Sequence, residues 1–443
     1  MNIQLSDHFD YKKLLMFALP SICMMMFTSI YSVVDGFFVS NFVGKTPFAA
    51  INFIMPILMI LGAIGTVFGT GGSALVAKTL GEGDHEKANR LFTLFIIISG
   101  VLGVIVTIIG EIFLPDLTAL MGAEGQLLNQ CIAYGRISLL TMGPFMMQYA
   151  FQSFFVTSEK PQLGFAFTVI AGCMNIVLDV LFIIVFHWGI EGSALATSIS
   201  EIFGGITPCI YFARNNSSLL QFRKTHFDGS SALKACTNGM SEFATSISMS
   251  VVGILYNIQL LKYAGENGVA AYGVIMYVNF IFISIFLGFS MGTAPITAYH
   301  YGAENHNELK NLLKRSVIII SEVAVILFVV AELLAEVFAE IFVGYDAELK
   351  VMTVSAFKIY SGSFLLCGFN TFGSSFFTAL NNGLLSAIIS FTRTLVFEIG
   401  AVLLLPLIFG LTGIWSSIIV AEIAAVILTS AFIINKRNTY HYL

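Results

Sequence analysis

Charge is what this chain has least of. Only 11% of its 443 residues are Asp, Glu, Lys or Arg, where soluble domains carry about a quarter. That excludes an ordinary water-soluble enzyme. Basic residues number 21 against 26 acidic ones, a formal net charge of −5, and they are scattered over short polar connections. No basic stripe is left for a nucleic-acid partner. Cysteine is sparse as well: Cys23, Cys131, Cys173, Cys209, Cys236 and Cys367 stand singly in apolar runs. Without CxxC spacing or a pairing pattern they read as small core residues, not as a zinc, redox or disulfide framework. The polar start MNIQLSDHFDYKK leads into an apolar run longer than a signal-peptide core, with no small-residue cleavage site, so no removable leader is expected.

What is abundant is apolar. Hydrophobic residues make up 57% of the chain, 42 of them phenylalanine, and the mean hydropathy is +0.88. Apolar runs of about 20 residues recur from end to end, each long enough to cross a hydrocarbon core roughly 30 Å thick as a helix. The pattern predicts an all-α polytopic membrane protein with twelve helices, over 14–40, 46–77, 91–113, 129–157, 163–186, 191–213, 236–261, 268–299, 314–343, 352–380, 385–407 and 412–434. With the N-terminus in the cytoplasm, Lys12, Lys13, Lys78, Lys87, Arg90, Lys160, Arg214, Arg223, Lys224, Lys234, Lys310, Lys314, Arg315, Lys436 and Arg437 fall on the cytoplasmic side. The other side receives only Lys45, Lys262 and Lys350, with Lys358 just inside a helix. The positive-inside rule therefore places both termini in the cytoplasm of a multi-pass protein in the cell membrane. The longest polar connection, 214–235, reads as a linker between two six-helix lobes, 1–213 and 236–443.

The two lobes repeat each other. GGSALVAKTLGEGDHEKANRL from Gly71 aligns with GTAPITAYHYGAENHNELKNL from Gly292, and GIEGSALATSISEI from Gly189 with GLTGIWSSIIVAEI from Gly410, both at a spacing of 221 residues. An even number of helices per lobe keeps the copies in the same orientation, related by an axis along the membrane normal, and such repeats place a substrate site between them. The repeat also disposes of two local motifs. GTGGSA at Gly69–Ala74 loosely fits a dinucleotide fingerprint but closes a membrane helix and follows no strand, so it reads as close helix packing. HYGAENH at His300–His306 lacks a matching first histidine in its repeat mate, so it reads as a helix-connecting turn, not a metal site.

A charge at the bilayer centre costs about 2.5–3.5 kcal/mol on insertion scales, so every intramembrane acid needs a reason. Glu332, Glu336 and Glu340 recur at i+4 near the outer end of one helix, a solvated stripe. Glu201 and Glu422 are repeat equivalents, which is compatible with scaffold or function. Glu242 lies near the cytoplasmic start of the seventh helix and Glu398 shares the eleventh with Arg393, each open to a structural ion pair or a cavity-lining role. Asp35 and Asp179 differ, because their counterparts are Tyr256 and Gly400. An acid present in one copy only is not demanded by the scaffold. In NIVLD, Asn175 and Asp179 share a helix face, and Tyr134 and Thr197 fall at the same depth in the outer half of the membrane. Two carboxylates, an amide, a hydroxyl and a phenol offer hard oxygen ligands for sodium, and equally a place for one shared proton. The rival is a hydrogen-bonded network that stiffens the bundle, though two acids without a nearby Lys or Arg make a poor stabilising device.

Taken together, the two six-helix lobes, VDGFFVS late in the first helix, NIVLD in the fifth and GIEGSALAT opening the sixth resemble the MATE (multidrug and toxic compound extrusion) family, in particular its bacterial MepA-like branch. The resemblance covers nearly the whole chain. It implies a secondary antiporter, with no cofactor, that rocks between outward- and inward-open states and exchanges external sodium or protons for cytoplasmic drugs or organic cations. It also implies an N-lobe cation site at Asp35, Asn175, Asp179 and Thr197, with Tyr134 beside it and Pro20 bending the first helix; a static kink at Pro20 is the alternative. The sodium-coupled branch has an aspartate in its tenth helix that is missing here, where Asn370 is the neutral candidate and Glu242 matches that branch's seventh-helix glutamate. Coupling is therefore expected in the N-lobe.

The substrate cavity is expected between the lobes, lined by methionine and aromatic side chains that repack around different ligands. Candidates are Met146, Gln148 and Gln152 from the fourth helix, Tyr277, Asn279 and Met291 from the eighth, and Glu242, in a protein expected to be monomeric in the lipid bilayer. Two rivals remain. A flippase for a lipid-linked or polar precursor needs a cationic cavity, and only Arg136 and Arg393 are available inside the membrane. An intramembrane transferase needs a nucleophile or a His and acid pair, for which His187 is thin support.

Overall fold

The structure, a computed structural model, describes residues 3–442, with the side chains of Ser32, Val33 and Lys45 outside that description. The expectation that Lys45 charges the outer side lies outside the described residues. The described chain is helical and contains no strand. Its helices are α1 (Tyr11–Phe38), α2 (Lys45–Thr66), α3 (Gly72–Gly81), α4 (His85–Leu120), α5 (Gly125–Leu140), α6 (Met142–Thr157), α7 (Pro161–Asp179), α8 (Gly189–Ala213), α9 (Gly229–Gly302), α10 (His306–Val343), α11 (Ala347–Ser361), α12 (Phe364–Ala379), α13 (Gly383–Phe391) and α14 (Ile399–Tyr440). Wider π turns extend α1 (Val39–Val43), α2 (Val67–Gly71), α7 (Val180–Val185) and α13 (Thr392–Glu398).

Short polar residues start many of these helices. Asp10, Asp84, Asp228, Asn305, Asp346 and Asn382 each accept a first-turn backbone N–H, the donors a helix cannot satisfy from within. At Asp228 the Ser231 hydroxyl and the N–H groups of Ser230 and Ser231 also hold the carboxyl below its usual pKa range.

The breaks differ from those expected. The 74 residues of α9 would form a rod of about 110 Å at 1.5 Å per residue, several times the membrane thickness. The chain turns instead at Gly265 (φ 62°), and α14 turns at Gly410 (φ 57°). Both glycines lie between helices predicted separately, and positive φ is open to glycine without a Cβ clash. Conversely, the predicted 129–157 helix is interrupted at Thr141 and the predicted 352–380 helix bends by 47° between α11 and α12. By length and apolarity, seven helices among the described residues can cross a membrane, or eight with the bent pair counted as one span. Twelve crossings thus remain an expectation from the sequence.

Three other expectations are corrected. The 214–235 connection is not a free linker: α9 already begins at Gly229, and the preceding stretch is tied down. Gln221 N–H donates to Asn89 Oδ1 (2.5 Å), Arg223 N–H to Thr93 Oγ1 (3.0 Å), and the Phe222 ring stacks on Phe92 at 5.1 Å. Of the six cysteines only Cys131 and Cys367 are buried, and Cys173 is exposed, because it sits on the outward face of α7. Within the acidic stripe on α10, Glu336 and Glu340 are exposed, but Glu332 is half-buried and accepts a hydrogen bond from Ser361.

The two halves meet through backbone, and they do so reciprocally. A Cβ on Gly81 would lie 2.0 Å from the Tyr299 carbonyl oxygen, and one on Gly302 would lie 2.0 Å from that of Lys78. Gly81 and Gly302 are repeat mates at the 221-residue spacing, as are Lys78 and Tyr299, so the contact is self-complementary, as two-fold packing requires. A second set lies in related places: Gly239 abuts Val67 and Gly71, while Ala18 abuts Gly292 and Ile22 abuts Gly288. Among the described residues, all glycines touching the opposite half lie toward the end that also holds both termini, where Leu5 meets Glu159 and Tyr440 meets Asn382. Gly302→Val is expected to lower thermal stability by about 1–3 kcal/mol through overpacking, whereas Gly253→Ala, with nothing within 4 Å, leaves it unchanged or raised. Fluorescence-detected thermal unfolding of the purified protein reads both.

Candidate functional site

Asp35 lies late in α1 and Asp179 is the last residue of α7. A π turn follows soon after the first and directly after the second, a local widening that recurs at functional sites. The two helices approach closely because Gly172 on α7 leaves room for Phe27 and Tyr31 of α1; a Cβ there would sit 2.5 Å from the Phe27 ring. This approach brings the carboxyl groups of Asp35 and Asp179 close enough to interact.

The other expected ligands gather around them. Asn175 Nδ2 donates to Thr197 Oγ1 at 3.3 Å, and the Tyr134 hydroxyl also reaches Thr197. Asp179 is 0% exposed, Asn175 and Tyr134 1% each, and Asp35 8%. The sequence reading missed Ser193, whose hydroxyl donates to Asp35 Oδ1 at 3.5 Å; its only signal was its place one turn before Thr197 in GIEGSALAT. Neither Asp179 oxygen nor Asn175 Oδ1 receives a donor, and among the described residues no Lys or Arg pairs with either acid. Buried oxygens of this kind are uncommon and call for an explanation. Two carboxylates at such range repel unless a proton or a cation stands between them.

A second polar layer continues along α8. Thr141, freed by the break between α5 and α6, donates to Glu201 Oε2 at 2.7 Å and lies 3.2 Å from the Ser198 hydroxyl. Glu201 is one turn beyond Thr197, so it joins the site's outskirts without touching the aspartates.

In the second half the equivalent positions of Asp35, Asn175, Asp179 and Thr197 are Tyr256, Val396, Gly400 and Ile418. Tyr256 stacks on Tyr272 at 4.9 Å, and no oxygen cage remains. Glu422, the mate of Glu201, is instead neutralised. Arg393 donates to Glu422 Oε1 from Nε (2.9 Å) and Nη2 (2.5 Å), Asn370 Nδ2 donates to Oε2 (2.6 Å), and Thr429 donates to Asn370 Oδ1 (3.0 Å). Arg393 thus pairs across helices with Glu422 and not with Glu398, its neighbour in sequence, and Asn370 belongs to this pair.

The substrate-cavity candidates are not brought together. Met146 is fully buried inside the first half, against Gly65. Gln148 and Gln152 border a space of about 10 Å³ between α6, α7 and α8, and Gln148 presses on Gly204. Tyr277 is 41% exposed and stacks on Phe342 of α10 at 5.7 Å. Asn279 is buried, Met291 is half-buried beside the Gly292–Ala18 contact, and Glu242 is half-buried one turn past Gly239, all on α9.

The two acidic sites should respond in opposite ways to mutation. Glu422→Ala strands a half-buried guanidinium and is expected to cost up to about 3 kcal/mol, while Asp179→Asn removes like-charge repulsion and leaves the thermal-unfolding midpoint unchanged or higher. Unfolding curves in detergent compare them directly.

Comparison with known proteins agrees with this architecture. The MatE family matches residues 20–181 and 243–403, one block in each half. The multidrug export protein MepA of Staphylococcus haemolyticus (strain JCSC1435) is 26% identical over 430 residues, 97% of this chain and 94% of that protein. Its namesake in Staphylococcus aureus (strain MRSA252) is 24% identical over 93% of this chain and 91% of its own length. Among solved structures, an outward-facing conformation of a multidrug resistance MATE family transporter of the MOP superfamily superposes with a TM-score of 0.93 at 24% identity, covering 100% of this chain and 99% of that one. MATE proteins are transporters and not enzymes, which sets the transferase reading aside. With both halves matched over most of their length, this chain is a multi-pass membrane protein of the MatE family.

Proposed function

We propose that the chain is a multidrug efflux antiporter of the bacterial cell membrane, which exports amphipathic organic cations in exchange for a proton or sodium bound at Asp35 and Asp179. One observation carries the coupling site: two neighbouring buried carboxyls, Asp179 with both oxygens unpartnered, in one half of a duplicated molecule only. Multidrug export is the role named for the MepA relatives, which align over more than nine-tenths of the chain.

In this reading the cation enters from the side opposite the termini and relieves the repulsion between α1 and α7. Asn175, Thr197 and Tyr134 complete its oxygen shell if it is sodium, or orient the carboxyl group that carries the proton. Relief of repulsion lets α1 shift against α7, and drug affinity changes because the cavity between the halves changes shape. Coupling requires each ligand to bind the two conformations unequally. Closure of the halves at the terminus end, through the paired glycine contacts, favours a state open at the other end. The termini are cytoplasmic and the functional unit is one chain. The flippase alternative is disfavoured because both arginines it would need are engaged: Arg393 by Glu422, and Arg136, 3.6 Å from Glu111.

Reconstituted vesicles loaded with a fluorescent organic cation, with a sodium gradient and a pH gradient imposed separately, test the proposal. One gradient is expected to drive efflux, and Asp35→Asn or Asp179→Asn to reduce it about tenfold or more. Undiminished transport by Asp35→Asn would overturn the site; no response to either gradient would overturn the antiport.

A further inference from the structure

The segment before α1 is held by the opposite half of the molecule. Glu308, 5% exposed at the start of α10, accepts the Phe9 N–H on Oε1 (2.9 Å) and lies 2.6 Å from His8 Nδ1 through Oε2. The Phe9 carbonyl accepts from Asn311 Nδ2 (3.0 Å) and from the Arg315 guanidinium, which also lies 5.1 Å over the Tyr11 ring. Phe9 is fully buried, its ring edge-on to Phe17 at 6.0 Å. Further along, Ala18 and Ile22 rest on Gly292 and Gly288 of α9. Beyond that point α1 changes allegiance: Phe27 and Tyr31 rest on Gly172 of α7, and Asp35 on Ser193 of α8. Pro20, which removes a helix hydrogen bond, lies at the end of the part that belongs to the second half.

This set of side chains occurs in one half only. The repeat mates of Glu308, Asn311 and Arg315 are Lys87, Arg90 and Leu94, which border a recess of about 320 Å³; α4 holds the segment before α9 by other side chains, through Asn89 and Thr93.

We propose that Glu308, with Asn311 and Arg315, is a positioning anchor that keeps the first turn of α1 attached to the second half throughout transport. This rests on the reading that Asp35 takes up the coupling cation. Movement of α1 against α7 then pulls on a point fixed in the other half, with the helix yielding at Pro20, and local ion binding becomes displacement of one half against the other. The bond from Leu5 N–H to Glu159 Oε1 (2.6 Å) ties the strap back to the first half; it is the tie that gives way.

The test combines deletion with covalent replacement. In vesicles, Glu308→Ala is expected to slow gradient-driven efflux about tenfold, with Glu308→Gln intermediate and Glu159→Gln within twofold of the native rate. Equilibrium binding of the fluorescent cation to the purified variants stays within twofold and certifies the fold. The pair His8→Cys and Glu308→Cys, in a chain with exposed Cys173 changed to Ser, is expected to be slow as made, and to recover to within twofold when the new thiols are joined by a short cleavable bis-methanethiosulfonate. Native-like efflux by Glu308→Ala overturns the anchor. So does a cross-link that stops transport until it is reduced, because the contact would then be a latch that must release. Asp35→Asn assayed alongside separates the two ideas: native-like transport by that variant defeats the cation site, whereas the cross-link result speaks to the strap alone.

Discussion

The architecture depends on backbone meeting backbone between the two halves. Gly81 against Tyr299 and Gly302 against Lys78 leave no space for a Cβ, and the same spacing relates Gly239 and Val67 to Ala18 and Gly288. Small residues let helices approach where there is no hydrophobic drive to bring them together, since lipid tails are as apolar as leucine. Such close, self-complementary contacts define an axis. They close one end of the molecule.

Against that near-symmetric frame, the chemically informative features are the asymmetric ones. One half keeps Asp35, Asn175, Asp179 and Thr197 as a dry oxygen cluster; the other places Tyr256, Val396, Gly400 and Ile418 there. The second half converts its inherited glutamate into a neutral pair with Arg393 and grips the chain before α1 through Glu308. Helix α1 is where these asymmetries meet, carrying an acid of the first half at one end and a fastening to the second half at the other.

Much of this was legible in the residues because intramembrane polarity is costly and therefore sparse. The matched depth of Asp35, Asn175, Asp179, Thr197 and Tyr134 followed from helix direction, and the structure gathers all five. Side-chain direction around a helix was not legible where every face is apolar. Met146, Gln148 and Gln152 turned into the first half's own packing, Tyr277 turned to Phe342, and Cys173 turned outward. Nor could sequence neighbourhood identify pairs formed across helices: Arg393 shares a helix segment with Glu398 yet meets Glu422. The break between α11 and α12 carried no proline to announce it, whereas the one at Thr141 is followed by Gly143 and Pro144, and Pro144 has no N–H to bond back to Leu140.

The sequence by itself determined that this is a duplicated helical membrane protein with unmatched acids in one copy, because hydropathy, charge bias and a constant repeat spacing are properties of residue order. Only the tertiary structure decided which oxygens stay without donors, which arginine is already spent, and that residues 8 and 9 belong to the far half of the molecule. Those outcomes depend on distances between segments up to 300 residues apart, and helix packing, not residue order, sets them.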